Sequence, residues 1–216
     1  MRTDYAALAL VVDRSGSMQS IASDVAGSVK QFIGDQKKNS GKTSLTVAQF
    51  DHLYEVVYDF VDIQAVDEEK FAKDYQPRGS TALLDAIGRT TLGLKQNLDN
   101  MAPADRPNKV VVAVITDGLE NASKEFNISQ IKDMIKQQEA LGWDFMFMGA
   151  TLDTINIAKN YGFSADKAAV YSTANFENSM RLIGEQVSKV RRGQELNITQ
   201  EEREKLMENS KAPQGA

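Results

Sequence analysis

Three runs in this chain, ALALVV (7–12), VVVAVI (110–115) and FMFM (145–148), are apolar at every position, without the alternation expected of a strand with one wet face. Each is short enough for a strand and must be covered on both sides. A parallel sheet sandwiched between helices is the architecture that covers strands in this way. With 42% hydrophobic residues, the 216-residue chain can bury one large core, or one core and a small appendage.

The remaining periodicity fills in that architecture. Strands are predicted near 5–12, 44–50, 54–60, 109–116, 143–149 and 168–172. In one of them Tyr54, Val56, Tyr58 and Phe60 alternate with Glu55 and Asp59, so it is placed at an edge and joined to 44–50 through a tight turn at Asp51-His52. Helical stripes run through Ile21, Val25, Val29 and Phe32, through Leu84, Ile87, Leu94, Leu98 and Met101, and through Phe176, Met180, Ile183, Val187 and Val190. Asn127 and Gln130 form a capping pair at the start of another helix. The fold class is therefore α/β, a doubly wound, mostly parallel six-stranded sheet with helices on both faces. One domain is expected over residues 1–192. A polar segment follows over 193–216, with a short capped helix at Thr199–Met207 and a disordered end from Ser210 to Ala216.

Charge and composition exclude several functions. The net charge is -5, from 25 basic and 30 acidic residues spread along the chain, and only Lys189 to Arg192 is locally basic. Nucleic-acid binding needs a concentrated basic surface, so it is not expected. The chain has no Cys, which removes disulfide and thiolate chemistry and suits a reducing compartment. Its opening residues carry neither a membrane span nor a signal-peptide pattern, so a soluble, cytoplasmic protein without membrane association is expected.

The first apolar strand runs directly into Asp13-x-Ser15-x-Ser17. One carboxylate and two hydroxyls spaced two apart on a turn can aim their oxygens at one point, and oxygen-only ligands suit a hard divalent cation. The same composition also makes ordinary turns. Two later residues sharpen the reading: Asp117, in VITDG, closes a central strand, and Thr81, in GSTALLDAI, stands just before a helix. Ligands of open α/β sheets gather outside the carboxyl ends of the strands where the winding reverses. If the two strands are neighbours there, all these oxygens converge.

Asp13-x-Ser15-x-Ser17, Thr81 and Asp117 together resemble the metal-ion-dependent adhesion site, or MIDAS, of the von Willebrand factor type A (VWA) domain family. The runs PRGSTALLDAIGRT and VITDGLENAS are similar to those of small intracellular members from bacteria and their phages. The resemblance implies strand order 3-2-1-4-5-6 with an antiparallel edge strand. It also implies that Ser15, Ser17 and Thr81 touch the ion or its waters while Asp13 and Asp117 anchor it, and that the setting is the cytoplasm of a bacterial or phage-infected cell.

Such a site implies Mg²⁺ or Mn²⁺, with Ca²⁺ less suited, and a protein partner that presents Asp or Glu to the ion. Mg²⁺ prefers six oxygens, and two carboxylates with neutral hydroxyls leave a position and a residual positive field for an outside carboxylate. Arg78, His52 and Glu120 are candidate partner contacts. A metal-dependent phosphate-ester hydrolase is the alternative, weakened because no His or Lys stands near Asp13 or Asp117 in sequence and no second metal cluster is visible. An RNA-binding VWA protein is a third reading, opposed by the acidic charge. Gly41-Lys42-Thr43 mimics the end of a phosphate-binding loop, but Gln36 stands where its first glycine is required. The sequence leaves oligomeric state and partner identity open.

Overall fold

The structure is a computed structural model and describes residues 2–207. Six strands, β1 (Arg2–Asp13), β2 (Lys42–Phe50), β3 (Tyr54–Asp62), β4 (Pro107–Thr116), β5 (Trp143–Gly149) and β6 (Ala168–Val170), form one sheet in the order β3-β2-β1-β4-β5-β6. All neighbours are parallel except β2 and β3, which run antiparallel at the edge.

Each central strand splits its side chains between two cores. Along β1, Ala6, Leu8, Leu10 and Val12 enter one core with α1 (Ala22–Lys37) and α6 (Phe176–Arg191), while Ala7, Ala9 and Val11 enter the other with α3 (Leu83–Asp99) and α4 (Ile128–Glu139). Both faces of the strand are dry, which is why the run lacks alternation. Fully burying side chains such as Leu8 and Leu10 stabilises the fold by about 1.5–3 kcal/mol each.

Two short helices escaped the sequence reading: α2 (Glu68–Asp74) buries only Phe71, and α5 (Thr154–Tyr161) spans 8 residues. Helices of two turns carry too few apolar positions to register a 3.6-residue period. At α4 the expected capping box between Asn127 and Gln130 is present in both directions.

The edge strand departs from its predicted phase. Val56 is exposed and Val57 buried, because the β2–β3 pairing shifts register between Leu45 and Val47 and again between Val47 and Ala48. Phe60, with φ of 52°, completes the irregularity. Bulges of this kind twist an edge and spoil it as a template for further strands.

After Gly193 the chain folds back onto the domain. Leu196, Ile198 and Leu206 join the α1/α6 core, and α7 (Gln200–Met207) opens with a reciprocal cap between Thr199 and Glu202. Arg203 donates to the carbonyls of Ala165 and Ala168 beside β6. The stretch Ser210–Ala216, expected to be disordered, lies outside the described residues.

Candidate metal-binding site

The winding direction of the sheet reverses between β1 and β4, and their carboxyl ends carry Asp13 and Thr116, followed by Asp117. Asp13 is completely buried. Its Oδ1 accepts the Ser15 N–H at 2.6 Å, and its Oδ2 accepts the Thr116 hydroxyl at 2.5 Å. Two buried tyrosines fix the strand ends from below: Tyr75 donates to the Asp13 carbonyl at 2.6 Å and Tyr171 to the Thr116 carbonyl at 3.2 Å. Burial first, and the nearby carboxylates second, push both phenols up, so they remain protonated donors.

Above this floor the hydroxyls line up. Ser17 donates to Asp117 Oδ1 at 2.5 Å, and the Ser15 and Ser17 hydroxyl oxygens lie 3.0 Å apart. A serine that gives its proton to a carboxylate keeps its lone pairs free for a cation. Thr81 joins them through Gly118, where an added Cβ would stand 3.1 Å from Thr81 Oγ1 and 3.6 Å from both Asp13 Oδ2 and Ser17 Oγ. Three elements distant in sequence thus aim oxygens into one small space, kept open by the absence of a side chain at Gly118.

The loop that carries Thr81 is docked on the first turn of the site. Gly16 N–H donates to the Gly79 carbonyl at 3.1 Å, Arg78 N–H to the Arg14 carbonyl at 2.8 Å, and Ala82 N–H to the Asp51 carbonyl at 2.8 Å. Gly79 is necessary there, since its φ is +68° and a Cβ would meet the His52 ring at 2.3 Å.

Desolvation is the dominant electrostatic fact. Burial pushes the Asp13 carboxyl up to about 6, opposed by its bonds from Thr116 and Ser15, and the charge of Asp117 adds to the rise. Asp117 is also raised, again mainly by burial. Asp13 is fully buried and Asp117 half-buried, no cationic side chain among the described residues pairs with either, and a divalent ion would supply that charge. The donor set is oxygen-only, two carboxylates and three hydroxyls; among the described residues no cluster of three or more His, Cys, Asp or Glu competes with it. Those residues fit a hard cation.

The three candidate partner contacts occupy the rim in different states. Arg78 is held by Asp51 and Glu55, each at 3.0 Å, and the same two carboxylates pair with the buried Arg14. His52 is half-exposed, 3.2 Å from Asp51. Glu120 turns inward: its carboxylate accepts the N–H groups of Leu84, Ala122 and Ser123 and the Ser123 hydroxyl. Sequence reasoning did not single out Thr116, Asn121, Tyr75, Tyr171 or the Arg14–Asp51 pair. Only Thr116 had a sequence signal, its place beside Asp117 at a strand end; the others depend on contacts between distant segments.

Residues 7–186 match the family model of the von Willebrand factor type A domain. The chain belongs to that family. Among curated proteins none matches this VWA domain. Solved structures share its fold at low identity. One is the von Willebrand factor type A protein from Catenulispora acidiphila, 13% identical with a TM-score of 0.60, covering 84% of this chain and 42% of that one. Another is the vWF domain of the type V pili tip protein Mfa5 from Porphyromonas gingivalis, 13% identical with a TM-score of 0.60, covering 87% and 96%. A third is proximal thread matrix protein 1 from the mussel byssus, solved with a zinc-occupied MIDAS motif, 17% identical with a TM-score of 0.58, covering 86% and 45%. The chain thus spans less than half the length of the Catenulispora and mussel proteins. VWA domains commonly mediate protein interactions and are usually not enzymes.

Proposed function

We propose that this VWA domain is a metal-dependent protein-binding module, with Asp13, Ser15, Ser17, Thr81 and Asp117 as its MIDAS. The observation that carries this reading is the convergence of Thr81 Oγ1, Asp13 Oδ2 and Ser17 Oγ around the open position at Gly118. A bound Mg²⁺ or Mn²⁺ would supply a positive field and an open coordination position for a carboxylate from a protein partner. Ca²⁺, which takes more oxygens at longer distances, suits this small donor set less well.

The chain's own residues favour binding over hydrolysis. The hydrogen-bond partners of Asp13 and Asp117 are serine, threonine and backbone N–H groups, none of which is a general base. Large apolar side chains stand exposed on the loops that leave the carboxyl ends of β2, β4 and β5: Leu53 at 50%, Leu119 at 56% and Leu152 at 88%. Exposed apolar residues around a polar site suit a protein surface. We further propose an intracellular setting, in a bacterial or phage-infected cell, supported by the cysteine-free sequence.

The test is affinity capture with the full chain as bait, in Mg²⁺ and in EDTA, repeated with Thr81→Ala. A specific partner should be held in Mg²⁺, released by EDTA, and bound at least tenfold more weakly by Thr81→Ala, a loss of about 1.4 kcal/mol. Changing one Asp or Glu of that partner to its amide should have the same effect. Binding indifferent to EDTA and to Thr81→Ala would place recognition elsewhere on the domain.

A further inference from the structure

Thr81 is held from both sides of its peptide by one residue. Asn121 Oδ1 accepts the Thr81 N–H at 2.9 Å, and the Asn121 N–H donates to the Thr81 carbonyl at 3.0 Å. The Ala122 N–H reaches the same carbonyl at 3.2 Å. Asn121 is exposed and lies only four positions beyond Asp117, on the loop that follows β4. Its side chain contributes no core packing, so its bonds to Thr81 are what it does.

The rest of that loop is fastened to the start of α3. Ala82, at the N-cap of α3, offers no side-chain cap. The loop supplies the missing acceptors instead, Glu120 for the Leu84 N–H at 2.9 Å and Ser123 Oγ for the Asp85 N–H at 3.0 Å. Asp85 reciprocates by accepting the N–H groups of Lys124, Glu125 and Phe126, each at 2.9 Å. Glu120 and Asp85, two acidic residues close to the site, are therefore spent on bracing the loop. These bonds tie the segment carrying Asp117 to the segment carrying Thr81.

We infer that Asn121 is the positioning residue of the candidate metal site, setting the Thr81 hydroxyl relative to Asp117 and Asp13. The inference rests on the metal-site reading above and adds a residue outside the five candidate ligands. Residues that orient ligands in this way commonly change metal affinity by about 10–100-fold when lost. A residue that only stabilised the loop would change the melting temperature and leave the affinity of the folded protein intact.

The experiment is calorimetric titration of Mg²⁺ and Mn²⁺ into the full chain, the wild type against Asn121→Ala, Asn121→Leu and Asn121→Asp, with metal-free melting temperatures in EDTA. Asn121→Ala and Asn121→Leu should weaken cation binding about tenfold or more while leaving the metal-free melting temperature within a few degrees of wild type. Asn121→Asp keeps the acceptor oxygen and should return affinity to within a few-fold. Should Asn121→Ala fail to fold, the contrast between Asn121→Leu and Asn121→Asp carries the test. Wild-type affinity in folded Asn121→Ala or Asn121→Leu overturns the positioning role and leaves the metal site standing. A wild type that binds neither cation overturns both.

Discussion

Replacing Gly118 with alanine puts the smallest possible obstruction into the oxygen cradle. The new methyl would stand 3.1 Å from Thr81 Oγ1 and 3.6 Å from Asp13 Oδ2 and Ser17 Oγ. Gly118 is not among the glycines with positive φ, so its backbone accepts alanine without strain. Restricting the unfolded chain favours the variant by about 0.4–1 kcal/mol, offset by the few tenths of an ångström that Thr81 must yield. The metal-free proteins should therefore melt within a few degrees of each other. The cation and its waters, which need about 2.0–2.1 Å from each oxygen and an unblocked approach, lose that space. At a hundredfold excess of Mg²⁺ over the wild-type Kd, binding should stabilise the wild type by about 2.7 kcal/mol, a rise of about 5–10 °C for a chain of this size. A hundredfold loss of affinity in Gly118→Ala leaves about 0.4 kcal/mol at the same concentration, a rise of about 1–2 °C. Differential scanning calorimetry in Mg²⁺ and in EDTA, at matched ionic strength, reads both quantities. An undiminished Mg²⁺ shift in the variant would mean that the ion binds away from this cradle.

Two further predictions concern stability. Because burial raises the Asp13 carboxyl to about 6 from 3.8, the folded state holds that proton more tightly than the unfolded chain does. Its contribution is thus complete below about pH 3.8 and lost as pH rises through about 6, an amount up to about 3 kcal/mol. Denaturant titrations in EDTA across this range should show that loss in the wild type and not in Asp13→Asn; identical pH profiles would remove Asp13 as its source. At Gly88 a Cβ would lie 2.7 Å from the Phe126 ring, so Gly88→Ala should cost about 1–3 kcal/mol by urea denaturation. An unchanged midpoint would show that the ring and its loop yield freely.

The sequence alone determined the architecture, because burial on both faces leaves a local signature. ALALVV and VVVAVI read as central strands since every position along them meets a core, and burial is continuous over residues 5–13 of β1 and 110–116 of β4 for that reason. The stripes of α1, α3 and α6 were legible in the same way, as were the caps at Asn127 and Thr199, which act within one turn. The five candidate ligands could be named because each stands at a local landmark: the residues leaving β1, the residue before the N-cap of α3, and the residue just past β4.

What the sequence did not contain was anything that depends on two distant segments meeting. The phase of β3 was misread because two bulges in its pairing with β2 shift the exposed face, and a bulge is a property of the pair. The second Asp13 hydrogen bond comes from Thr116, 103 residues away, and the raised carboxyls follow from burial that only the assembled sheet creates. Glu120 was a candidate partner contact, yet its oxygens accept from Leu84 of α3 and from Ala122 and Ser123 of its own loop; Asn121, unremarked in sequence, grips Thr81 across 40 residues. Local pattern fixed which elements form, since hydrophobic periodicity and capping act within a few residues. Only tertiary contact decided which polar groups remain available for chemistry, since a hydrogen bond made between distant segments withdraws a side chain from any other role.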